Sequence, residues 1–181
     1  MRRLAAAALA GAIAAAATAA TTELRSYPVP GRGKVEMVVP ADWYDEPKPG
    51  AGGIPVVRFF DRLRGAPAFD MVVTIVWAVP GADFPGEPRR LRALVSQAAE
   101  AIAGGAAETR LTILELPVDN GVGYYFRATA KTAASGQPTH LTQGALAAND
   151  LMLTFTILTA DHNSPAVEQA LAMLKSARRV Q

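Results

Sequence analysis

Apolar and polar residues alternate along most of this chain, and turn residues cut the alternation into short runs. Residues 34–40 (KVEMVVP) place Val35, Met37 and Val39 on one face, which predicts a strand. Residues 54–63 (IPVVRFFDRL) predict a second. Residues 69–79 (FDMVVTIVWAV) carry Met71, Val73, Ile75, Trp77 and Val79 on one face, with Val72, Thr74, Val76 and Ala78 on the other. A strand apolar on both faces is expected in the middle of a sheet covered on both sides. Residues 111–118 predict a strand leading into Asp119-Asn120-Gly121, a hairpin signal because Asn and Gly tolerate positive φ. After the turn, Tyr124, Phe126, Ala128 and Ala130 face one way, and Tyr125, Arg127, Thr129 and Lys131 the other. Residues 140–147 return. A turn at Ala148-Asn149-Asp150 then gives a strand with Leu151, Leu153, Phe155 and Ile157 on one face.

Two stretches change to a helical period. From Glu87 to Gly104, residues Leu91, Leu94, Val95, Ala98 and Ile102 recur at helical spacing. Pro88 suits the first turn, and Gly104-Gly105 ends it. Arg89, Arg90 and Arg92 read as the solvated face of this helix. A second helix opens at Ser164-Pro165, with Val167, Ala170, Leu171, Leu174 and Ala177 as its buried stripe. Lys175, Arg178 and Arg179 crowd its C-terminal end, where positive charge is favoured. Residues 23–30 are expected to form an extended arm broken by Pro28 and Pro30, and residues 45–53, rich in Pro and Gly, a loop. No repeat or composition break divides residues 21–181. The expectation is one α+β domain: a mostly antiparallel sheet of about six to seven strands flanked by two main helices.

The first twenty residues have a different character. Met1-Arg2-Arg3 precedes an uncharged run of Ala, Leu, Ile and Gly, and Ala17-Thr18-Ala19 supplies an A-x-A cleavage site. This is a signal peptide pattern, with cleavage after Ala19 or Ala20 and a periplasmic or secreted product. No transmembrane helix is expected in the mature chain. Without Arg2 and Arg3, the 18 Lys and Arg residues fall to 16, matching the 16 Asp and Glu. A chain so balanced lacks the clustered basic excess that nucleic-acid binding uses. There is no Cys, which removes disulfides, thiol catalysis and cysteine metal sites together.

The order of elements resembles the PsbP/DcrB-type family. The residues that carry the likeness are Pro40, Asp42 and Trp43 after the first strand, the GVGYYF run from Gly121, and Leu174-Lys175-Ser176 near the end. The resemblance implies a PsbP-like α/β/α sandwich. It also implies an accessory or binding protein, without a shared catalytic motif or cofactor.

Candidate chemistry is sparse. His140 begins a strand beside Thr139 and reads as a surface residue, while His162 precedes a helix start in Asp161-His162-Asn163. No HxxxH spacing links them, no serine lies in G-x-S-x-G, and no glycine-rich loop joins a strand to a helix as a phosphate cradle would. No catalytic, cofactor-binding or metal-binding residue is therefore assigned. Rings such as Trp43, Phe59 and Tyr125 can line a groove for an apolar ligand or a partner protein, and Arg178 and Arg179 can meet a partner. The leading expectation is a non-catalytic envelope protein engaging a partner protein or a lipid-like ligand. The alternative is a small hydrolase or transferase built on carboxylates and His162.

Overall fold

A computed structural model describes residues 21–61, 69–77, 86–119, 121–133, 136–148, 150–161 and 163–181. Residues 1–20, whose sequence reads as a signal peptide, and His162 lie outside these residues. The described chain runs β1 (Thr22–Val29), β2 (Gly33–Pro40), β3 (Trp43–Pro49), β4 (Pro55–Asp61), β5 (Phe69–Trp77), α1 (Pro88–Ile102), β6 (Leu114–Val118), β7 (Gly121–Thr129), β8 (His140–Ala148), β9 (Leu151–Thr159), α2 (Pro165–Lys175) and β10 (Arg178–Val180). Seven strands form one sheet in the order β3-β4-β5-β9-β8-β7-β6, and β1-β2-β10 form a second; all the pairs are antiparallel.

The larger sheet is the middle layer. Its inner face carries Phe59, Met71, Val73, Ile75, Leu153, Phe155 and Ile157. These pack in one cluster with Val35, Met37 and Val39 of the small sheet and with Val167, Ala170, Leu171 and Leu174 of α2. The alternation read in β2, β5 and β9 and the stripe read in α2 thus meet as expected. The opposite face is covered by α1, whose Leu91, Val95 and Ala99 cluster with Phe126, Ala128, Ala145, Ala147 and Met152. The result is an α+β fold with helices on both sides of a mostly antiparallel sheet.

Four expectations are corrected. The arm at residues 23–30 is a full strand, paired with β2 from Thr22 to Val29, and it buries Tyr27 and Val29 in the core. Pro30 lies beyond the last pair, and Pro28 sits near the end of an edge strand, where a missing N–H is tolerated. The Pro-rich stretch after Trp43 is likewise an edge strand, β3, with Pro47 and Pro49 in its exposed half. Strand β5 is internal but only partly covered on its outer face, where Val76 packs against the α1 cluster and Val72 is 37% exposed. The strand buried on both faces is β8, because α1 crosses β7 and β8 rather than β5. Small residues allow it: Gly144-Ala145-Leu146-Ala147-Ala148 lets the helix approach on one side and Phe155 on the other. Finally, α2 stops at Lys175, and Arg178 belongs not to the helix but to β10, which returns along β2.

Candidate functional site

Strand β6 is shorter than β7 and pairs with it only from Gly121 to Tyr125. The far half of β7, from Phe126 onward, is therefore open along that edge. The chain leaving α1 fills the gap. A 3₁₀ turn at Ala103–Gly105 brings Ala106 opposite Ala130, Ala107 N–H donates to the Thr129 carbonyl (2.7 Å), and Lys131 N–H donates to the Gly105 carbonyl (2.9 Å). The Glu108 carboxylate takes the place of a strand carbonyl: its two oxygens accept from Thr129 N–H at 3.0 and 2.9 Å. It also accepts from the Thr129 hydroxyl at 2.7 Å.

This junction leaves a groove of about 250 Å³ between the end of α1 and the ends of β7 and β8. Ile102, Ala106, Ala128, Pro138, Leu141 and Leu158 supply an apolar lining, and His140 stands in the wall. His140 Nδ1 lies 3.4 Å from Thr129 Oγ1, the hydroxyl that donates to Glu108. Lys131 Nζ, bound to the Gly104 carbonyl at 3.0 Å, adds a positive charge at the end of α1.

The residues singled out from sequence fall elsewhere. Trp43 and Phe59 are not groove-lining rings: they are 2% and 0% exposed, Trp43 against Phe69 at 4.2 Å and Phe59 edge-on to Tyr27 at 5.8 Å. Both sit on the inner sheet face beneath the small sheet, so their size serves packing. Tyr125 is half-buried at the edge of the core, under the Arg127 guanidinium (5.8 Å), which also reaches Glu168 on α2 at 2.8 Å. Arg178 holds Glu36 at 2.9 Å, and Arg179 holds Asp150 and the Arg32 carbonyl. Lys34 and Arg178 on the Glu36 carboxylate hold it below the usual glutamate range. Sequence reading missed Glu108 and Thr129, since a loop acid and a strand threonine 21 residues apart carry no signal until β7 gains its register. No group of three metal-ligating side chains converges among the described residues.

The layering described above defines an α+β protein of PsbP-like fold. In structure the chain is similar to cyanobacterial PsbP (CyanoP) from Synechocystis sp. PCC 6803, with 17% identity, 94% of this chain and 98% of that chain covered, and a TM-score of 0.51. No family model matches the chain. No curated protein matches it in sequence.

Proposed function

We propose that this is a non-catalytic accessory protein of the cell envelope that binds an apolar, lipid-like ligand or an apolar side chain of a partner protein. The observation that carries this reading is the groove beside β7 and β8. Its lining is mainly apolar, with Thr129, Thr139 and His140 as the polar side chains, and it is open to solvent. At about 250 Å³ it is smaller than the roughly 300–1,000 Å³ clefts that enclose drug-sized ligands. A chain end or a single ring suits it. The PsbP-like fold is consistent with an accessory role, as the sequence resemblance implied. The pattern of residues 1–20 supports export, and no helix among the described residues is long and apolar enough to cross a membrane.

The test is binding of a neutral apolar probe, octan-1-ol, followed by NMR. Amide shifts should concentrate at residues 128–130 and 139–141. Ala130 is exposed at the groove mouth, so Ala130→Trp should abolish the shifts while Tm stays unchanged. No saturable shift in the wild-type protein would reject the groove as a binding site.

A further inference from the structure

We propose that the fold closes against its own processing site, so that the leader is removed before the domain folds and the chain is exported unfolded. This rests on the reading of residues 1–20 as a signal peptide. The A-x-A pattern places the scissile bond after Ala19 or Ala20. The sheet begins at once on the C-terminal side of that bond. Ala41 N–H donates to the Thr21 carbonyl at 2.8 Å, and from Thr22, opposite Pro40, every residue to Val29 is paired with β2. At most Ala20 stands between the cut and the first residue bonded to the sheet.

A peptidase acts on backbone whose hydrogen-bonding groups are accessible, and burial and bonding of that backbone decide whether it is cut. Here the residues that follow the scissile bond are already engaged by β2. One or two extended residues span about 4 to 7 Å, which leaves no room between the bond and the body of the domain for the wall of an enclosing cleft. Fraying of β1 would admit the enzyme, and two features oppose it. Tyr27 and Val29 of the same strand are buried in the core. Arg25 donates to the Trp43 carbonyl at 3.0 Å and to the Asp45 carboxylate at 2.6 Å, which ties β1 to β3 as well as to β2. Opening is thereby coupled to the core, and cleavage of a folded precursor follows the small open population. A domain folded before export would bring its leader to the peptidase in this protected form. Removal of the leader therefore belongs before β1 pairs with β2, on a chain that emerges unfolded.

Three forms of the full precursor decide the matter, each incubated with purified signal peptidase in the same mild detergent. The folded wild-type precursor should be cut about tenfold or more slowly than the Ile75→Asp precursor, checked by circular dichroism to be unfolded, which has the same cleavage sequence. A Gly-Ser-Gly-Ser-Gly-Ser insert between Thr21 and Thr22 keeps that sequence and moves the fold away from it. The insert should raise the folded precursor to the rate of the unfolded one. Equal rates for wild type and Ile75→Asp would overturn the inference while leaving the signal-peptide reading intact. Slow cleavage that the insert does not relieve would overturn the role of β1. Failure of the peptidase to cut Ile75→Asp after Ala19 or Ala20 would overturn the reading of residues 1–20, and the inference with it. If Ile75→Asp stays folded, wild-type precursor unfolded in urea and diluted directly into the peptidase takes its place.

Discussion

Arg178 donates to Glu36 through Nη2 at 2.9 Å and through Nε at 3.2 Å, joining the last strand of the chain to the second across 142 residues of sequence. Lys34 Nζ meets the other carboxylate oxygen at 2.8 Å. These two cations hold the Glu36 carboxyl below the ordinary glutamate range, Lys34 being the stronger influence. A depressed carboxylate contributes stability that is present above its unfolded pKa and lost as pH falls through its folded pKa. Tm should therefore begin to fall as pH drops toward the ordinary glutamate value of about 4.3, and should go on falling below it. Glu36→Gln should flatten this acid-side decline in calorimetric scans. Arg178→Ala should lower Tm at neutral pH in the wild-type background but much less in Glu36→Gln, because the two changes remove one interaction. Additive effects would mean that the pair is not coupled.

The two faces of β5 give a sharper contrast. Ile75 is fully buried on the inner face, and Val72 is 37% exposed on the outer face opposite Arg58. Ile75→Asp should bury a charge without a partner and leave no folded protein by circular dichroism. Val72→Asp should change stability by only about 0.5 kcal/mol in urea titrations. Comparable losses in the two variants would show that something covers the outer face.

Helix α2 is held by its apolar stripe. Leu171 lies in the cluster with Phe155 and Ile157 and is 4% exposed. Leu171→Ala should cost about 2–5 kcal/mol by urea denaturation, as truncation of a buried leucine does. A variant that melts with the wild type would mean that α2 is not docked on the sheet.

Gly144 marks a close approach. A Cβ there would meet the Tyr124 carbonyl, Tyr125 Cβ and, at 2.8 Å, the Phe155 ring. Gly144 pairs with Tyr125 on one side and Phe155 on the other, so two rings share the space above it. Gly144→Ala should cost about 1–3 kcal/mol through overpacking, read as a lower midpoint in urea with m unchanged. A stabilised variant would show that the rings move aside.

Much of the fold follows from the sequence by itself. Period-2 alternation in β2, β5, β7 and β9 decides which side chains share a face, and the 3.6 period of α2 decides its buried stripe. Both are local consequences of backbone geometry, and both hold in the structure. The hairpin between β6 and β7 was legible for the same reason, since turn chemistry is also local. Tertiary structure alone decided the rest. Which strand lies beneath α1 depends on where a helix finds small residues to approach, so β8 is buried on both faces and β5 is not. Strands β1 and β3 contain prolines that read as breaks, yet an edge strand has no partner on one side and tolerates the missing donor. Arg178 and Arg179 look like a helix terminus in sequence, but β2 offers a free edge and Glu36 a counter-charge. Trp43 and Phe59 are indistinguishable in composition from surface rings until the small sheet closes over them. The groove is the extreme case: Glu108, Thr129 and His140 meet because β6 stops short of the end of β7, and strand length relative to a partner is a property of the pair, which a single segment does not encode.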